Sequence, residues 1–384
     1  MARKITVIQM LPDMQSGGVE SVTLETAAYL VKHGHRSMVI SAGGAMADQL
    51  QREGSHHLTW PHIGEKSPRC LTYILPLATL LVTQRVDILH LRSRLPAWIG
   101  YMAWKHAQGR SATRLVTTFH GFYSVNAYSR IMTKGEMVIA ISQAIAHHLK
   151  TVYRLDDSRM AIIPEGIDIG RFSPDSVSVE RVSSLKRLWG IETADQPIIM
   201  LPARITRLKG HDRFIQALSA IRHLNWQALC VGAWDRGSSY QGELLKLAHQ
   251  TGLDGRVMFA GECADMPAAY MLADVVISAS KEPESFGRVA VEAQAMGKMV
   301  VATAHGGSLE TVLAGQGGIL AQPNQVDSMA AAIKEALARI PLSRHQVEAT
   351  RLWIADRFSL ERMGRDTLDL YLRMCRLAGA APSR

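Results

Sequence analysis

Two successive trains of short apolar runs, each run closing on glycine or a polar residue, constrain what this chain can fold into more than any other feature. The first train is KITVIQML (4–11), MVISAGG (38–44), DILHL (87–91), LVTTFHG (115–121), MVIAIS (137–142) and MAIIPEG (160–166). The second is PIIMLPAR (197–204), QALCVGA, VMFAG, DVVISAS and MVVATA. Runs this short, continuous and β-branched suit strands buried on both faces of a parallel sheet. Amphipathic stretches such as SVTLETAAYLVKHGH, HDRFIQALSAIRHL and YQGELLKLAHQTG separate several of them and predict crossover helices.

Strand, loop, helix, strand repeated in this way predicts an α/β doubly wound sheet. The chain has 384 residues, a comfortable length for two such domains. Between Asp168 and Pro197 the rhythm loosens into FSPDSVSVERVSS, whose Ser and Pro content predicts a linker. The expected organisation is therefore a Rossmann-like domain over 1–175, a linker over 176–196, a second Rossmann-like domain over 197–356 and a helical tail over 357–384, with a cleft between the domains. No internal repeat or low-complexity segment is present.

Bulk properties exclude several classes. Hydrophobic content of 47% and charged content of 20% describe an ordinary globular chain. Cys70, Cys230, Cys263 and Cys375 are scattered, which argues against a disulfide framework or zinc site and for a reducing compartment. The opening MARKITVIQMLP is too short and too β-branched for a signal peptide, and LTYILPLATLLV (71–82) is broken by Pro76 and far short of a membrane span. Residues 1–175 hold 19 Lys/Arg against 13 Asp/Glu, and the remainder 24 against 21. The basic excess thus leans to the first half, which suits an anionic partner. Aromatics are 6% and no basic stripe interleaves with them, so nucleic acid is not expected.

No GxGxxG, P-loop or GxSxG motif occurs, and no Asp-x-Asp pair or close His/Cys spacing points to a metal. What remains is a set of anion-binding devices at strand ends, where open α/β sheets bind ligands. In ARITRLKGHD (203–212), Arg204 and Lys209 precede a predicted helix start and suit a diphosphate. In KEPESFGRVAVEAQAMG (281–297), backbone N–H groups near Phe286 and Gly287, at the start of the next helix, would point at an anion. Glu284 and Glu292 lie eight residues apart, roughly 10–12 Å if most of that is helix. That is too far for an acid/base pair on one bond and suits gripping two ends of one extended ligand. Glu282 is expected at the rim or paired with Lys281. SGGVE (16–20) places Gly17 and Gly18 at a turn opening the first helix, and His120 ends an apolar run beside Gly121.

Taken in order, these segments resemble retaining glycosyltransferases of family four, which have the GT-B fold. The resemblance rests on E-x-F-G-x4-E-A (Glu284 to Ala293), GGVE, FHG, AISQ (140–143), PEGID..RF (164–172), Arg204 with Lys-Gly, and HGG..E (305–310), and it covers nearly the whole chain. It implies that Glu284 contacts the transferred sugar, Glu292 the donor ribose, and Arg204 with Lys209 the diphosphate, so that no metal is needed. Ser285 to Arg288 would offer N–H groups to the phosphates, Gly17 and Gly18 would close over them, and His120 would touch the sugar. The co-substrate would be a UDP-, GDP- or ADP-sugar, with no other cofactor. The final helix would cross back to the N-terminal domain. Glu165 departs from the family, which often has Asn there, as does Gln294-Ala295-Met296.

The segments AGG (42–44), LRSRLPAW (91–98) and FHGFYSVNAYSRIMTKGE (119–136) are closer to bacterial transferases that build the lipopolysaccharide core. That subset implies a lipid-anchored, phosphorylated glycan acceptor, with Arg92, Arg94 and Lys134 as candidate acceptor contacts. It also implies a cytoplasmic protein at the anionic inner membrane face. A member of the family acting on an exopolysaccharide or glycolipid, and a nucleotide-sugar epimerase or hydrolase, are the competing expectations.

Overall fold

The computed structural model describes residues 3–15, 17–191, 196–234 and 239–379; Ser16 of the SGGVE turn lies outside them. It divides the chain into two compact units, one of residues 1–166 together with Leu360 onward, the other of Ile167–Ser359.

In the first unit seven strands form one sheet: β1 (Thr6–Met10), β2 (Arg36–Ser41), β3 (His56–Thr59), β4 (Ile88–Leu91), β5 (Arg114–Phe119), β6 (Met137–Ala140) and β7 (Met160–Ile162). Their order is β3-β2-β1-β4-β5-β6-β7, and every neighbouring pair is parallel. The order reverses direction between β1 and β4, which makes the carboxyl ends of those two strands the switch point. The tail is two helices, Arg344–Phe358 and Leu360–Gly379, parted at Ser359. The second places Met363, Leu368, Leu370, Tyr371 and Met374 in one core cluster with Ile5, Val7, Ile88, Val116 and Ile139. The chain's last helix is thus part of the first unit's core, and the break falls at Ser359.

In the second unit β8 (Ile198–Pro202), β9 (Gln227–Val231), β10 (Val257–Gly261), β11 (Val275–Ser278), β12 (Met299–Thr303) and β13 (Gly318–Ala321) form a parallel sheet in the order β10-β9-β8-β11-β12-β13. Its switch point lies between β8 and β11. The sheet core includes Ile199, Leu201, Ala228, Val275, Ile277 and Val301, all essentially buried.

The expected linker over 176–196 is corrected. Residues 167–191 belong to the second unit and hold a helix, Val179–Leu188. Arg181 on that helix makes a two-pronged bond to Asp265, at 2.8 and 2.6 Å. The expected first boundary at residue 175 moves to 166.

Candidate functional site

At the switch point of the second sheet, two loops leave adjacent strands side by side. After β8, Arg204 is exposed, a short turn runs over Arg207–Lys209, and Gly210 leads into the helix His211–Ala220. After β11, the chain runs through Ser280 to Glu284, and Gly287 leads into the helix Arg288–Ala295. The Lys281 N–H donates to the Leu208 carbonyl at 2.8 Å, tying the loops together. Across the join, Lys209 Nζ lies 2.6 Å from Glu284 Oε1, and the Ser280 hydroxyl donates to the same oxygen. The Glu284 carboxylate, 18% exposed, is thereby fixed beside a cation while keeping Oε2.

The main chain of Glu284 is held from behind. Gly307 N–H donates to its carbonyl at 2.7 Å, and Gly306 pairs with it as an isolated bridge. A Cβ on Gly306, at φ 60°, would fall 2.3 Å from the Glu284 carbonyl oxygen, so only glycine allows this approach. His305 Nε2 bonds the Ser280 carbonyl at 3.0 Å. The HGG segment is therefore the backing of the Glu284 loop.

Glu292 sits on the second of the two helices. Tyr270 donates its hydroxyl to Glu292 Oε2 at 2.9 Å, and Arg288 Nε lies 3.0 Å from Oε1. Burial, with Glu292 adjacent, pushes the Tyr270 phenol well above its usual range, so it stays a donor. Phe286, 4% exposed, turns into the core against Phe358, ring centroids 5.5 Å apart. The helix begins at Arg288 and not earlier, so the spacing of roughly 10–12 Å expected from helical rise does not apply over the whole Glu284–Glu292 stretch. Glu282 is exposed, and Lys281 pairs with Asp212 at 2.5 Å and not with Glu282.

Two cations and the N-termini of two helices thus share one sheet edge with a positioned carboxylate. Helix N-termini present unpaired N–H groups and a partial positive charge, the complement of a phosphate. Among the described residues no group of three His, Cys, Asp or Glu could hold a metal ion.

At the corresponding edge of the first sheet, Gly17 caps the helix Gly18–Lys32, and both glycines are exposed. A Cβ on Gly17 would meet the Glu20 carboxylate at 2.3 Å, so that side chain lies over the turn. His120 follows β5; its side chain is 4% exposed, and Nδ1 lies 3.2 Å from Glu165 Oε1. Burial draws its pKa below the ordinary value, against the pull of Glu165.

Arg92 is not where an acceptor contact would be. It is 2% exposed, with Nε donating to Gln9 Oε1 at 2.7 Å and Nη2 to Thr26 Oγ1 at 2.9 Å. Its role is to satisfy buried polar groups of β1 and the first helix. Arg94 is half-buried, its guanidinium 5.0 Å from the Tyr123 ring centroid and 5.3 Å from that of Tyr128. Lys134 is exposed. Ser280, Tyr270 and Gly306, which orient the two glutamates, carry no local sequence signal beyond the HGG segment that contains Gly306. Among the described residues no helix is long and apolar enough to cross a membrane.

Two family descriptions match the chain: "Glycosyltransferase Family 4" over residues 16–171 and "Glycosyl transferases group 1" over 190–353. A solved glycosyltransferase from Rickettsia africae is 33% identical, with TM-score 0.87, over 97% of this chain and 98% of that one. Anabaena Alr3699/HepE, solved with UDP and glucose, is 23% identical with TM-score 0.79, over 95% and 99%. D-inositol 3-phosphate glycosyltransferase of Mycolicibacterium smegmatis is 29% identical over 68% of this chain and 62% of its own length. Across four curated relatives of that description, the match spans 46 to 62% of their lengths.

Proposed function

The chain belongs to glycosyltransferase family four, with two Rossmann-like units as in the GT-B fold, and from that premise we propose that it moves a sugar from a nucleotide diphosphate to a glycan acceptor, with retention and without a metal. The observation that carries this reading is the Lys209–Glu284 pair at the β8/β11 switch point, 2.6 Å apart between two helix N-termini. Lys209 and Arg204 neutralise the diphosphate, helped by N–H groups from Ser285 to Arg288, so fixed charge does the work of a divalent ion. Glu292, held by Tyr270 and Arg288, takes the ribose hydroxyls. Glu284 orients and stabilises the sugar at its reacting carbon. The C1–O bond to the departing diphosphate breaks as the acceptor oxygen bonds C1 on the same face. The acceptor proton passes to the leaving phosphate oxygen. On the first unit, His120 suits a sugar hydroxyl, and the exposed Gly17–Gly18 turn suits a phosphate.

For the acceptor, the proposal is a phosphorylated, lipid-anchored glycan of the lipopolysaccharide core type, contacted by Arg94 and Lys134 on the first unit at the inner membrane face. The first-half basic excess supports it. Arg92 is withdrawn from this role because it is buried. A second reading, a smaller phosphorylated acceptor, is favoured by the name of the inositol-phosphate relatives.

A thermal-shift panel of UDP-, GDP- and ADP-sugars tests the donor assignment. A ligand that binds only the folded state at 100 times its Kd adds about 2.7 kcal/mol. One base should raise Tm clearly, without added metal and unaffected by EDTA. No shift with any of the three, or a shift only with metal, contradicts the proposal.

A further inference from the structure

The first unit holds a buried polar cluster that the proposed transfer chemistry does not use. A small space of about 20 Å³, enough for roughly one water, is bordered by His90, Arg92, Thr118, His120, Glu165 and Thr367. Most of these groups are satisfied: His90 bonds the Tyr371 hydroxyl and Thr118 Oγ1, each at 2.6 Å. His120 is the exception. Its Nε2 is buried without a partner among the described residues, while its Nδ1 faces Glu165.

A buried nitrogen without a partner costs free energy that a ligand hydroxyl or a water would recover. Which kind of partner it can take depends on where the ring proton sits, and that is set by the bond at the other nitrogen. A carboxylate only accepts, so a Glu165 carboxylate requires the proton on Nδ1. Glu165 is itself fixed: it is 7% exposed, and the next residue's N–H donates to Met363 Sδ of the final helix at 3.2 Å. Both residues leave the carboxyl edge of the first sheet, His120 after β5 and Glu165 after β7.

We propose that Glu165 is a positioning residue that holds His120 as the Nδ1–H tautomer, so that Nε2 is an acceptor for a sugar hydroxyl. The sugar part rests on the glycosyl-transfer reading; the tautomer does not. The charged and titratable groups facing His120 are Glu165, Arg92, Glu20 and His90. Burial lowers its pKa most, Arg92 lowers it further, and Glu165 and Glu20 raise it. The neutral ring is the working form at pH 7, and loss of the Glu165 charge lowers its pKa further.

The test is imidazole ¹⁵N NMR of the full-length, ¹⁵N-histidine-labelled protein, with His120→Gln identifying the signal. The wild type should show Nδ1–H. Glu165→Leu, which removes the acceptor, should move His120 toward Nε2–H. Glu165→Gln, isosteric and still able to accept, should keep Nδ1–H and titrate at lower pH. An Nε2–H wild-type ring, or a titration unchanged in the Gln variant, overturns the proposal even if Leu prevents folding. In transfer assays Glu165→Leu should lower kcat roughly tenfold or more, with donor KM within about twofold. If the tautomer behaves as stated and no sugar transfer is found with any donor, the functional reading fails and the positioning assignment stands.

Discussion

Gly210 ties stability to the candidate site, and its substitution by alanine has a calculable effect. Its φ is 72°, in the left-handed region, and a Cβ there would fall 1.9 Å from the carbonyl oxygen of Ala279, just before Ser280 in the Glu284 loop. The left-handed backbone costs an L-residue roughly 1–2 kcal/mol. The clash is with backbone, which cannot rotate away, and forced overpacking costs roughly 1–3 kcal/mol more. Gly210→Ala should therefore destabilise by roughly 2–5 kcal/mol and weaken nucleotide binding, because relief requires the β11 loop to move. Gly252 is a matched control: its φ is 71° and a Cβ there would meet nothing within 4 Å. Gly252→Ala should show only the backbone part. Urea unfolding followed by circular dichroism, with m-values compared, measures both variants. Equal destabilisation by the two substitutions would refute the claim that Gly210 is required by the contact with the site loop.

Further outcomes follow from the same geometry. Arg92→Leu should lower stability by roughly 2–5 kcal/mol, since Gln9 and Thr26 lose buried partners, and should leave acceptor KM unchanged; a change confined to acceptor KM would return Arg92 to the acceptor site. Arg94→Ala should raise acceptor KM roughly tenfold, the loss of a charged hydrogen bond, with donor KM unaffected. Deleting residues 360–384 should unfold the first unit, because the five side chains from Met363 to Met374 that enter its core are worth about 1.5–3 kcal/mol each on burial, comparable to a whole domain's stability. His211 is fully buried, and burial holds its pKa at about 4 against 6.5 unfolded. The unfolded chain then binds more protons between those values, so the contribution is complete above pH 6.5 and is lost as pH falls toward 4, up to about 3 kcal/mol. Urea midpoints of wild type and His211→Asn should converge over that range; parallel pH curves would remove His211 as the cause.

The strands were legible because a doubly covered parallel strand must be apolar throughout: Ile88–Leu91 and Val275–Ser278 are buried at every position. β3 was not, since HHLT is an edge strand with exposed ends and two histidines. The helix Val179–Leu188 reads as linker in the sequence because it buries no residue fully. Its apolar positions Val182 and Leu185 are only half-buried, and Arg181 is tied to Asp265, 84 positions away. Arg92 read as a surface cation for a related reason: nothing local announces that Gln9 and Thr26 will enclose it. At the site, Arg204 and Glu284 are legible as charges in loops after strands, Lys209 as a cation before a helix start and Glu292 as a carboxylate within the next helix. The Lys209–Glu284 bond is not, because residues 75 apart meet only through the β8/β11 adjacency of the folded sheet.

In the proposed site Glu284 acts on the transferred sugar while Lys209 and the helix N-termini hold the diphosphate. Glu284→Gln separates the two. Removing one carboxylate beside Lys209 leaves the whole of that charge for the anion, so calorimetry should give a nucleoside-diphosphate Kd equal to wild type or tighter. Sugar transfer by the same preparation should fall at least about 100-fold. Near-normal turnover, or loss of nucleotide binding together with activity, would contradict the account.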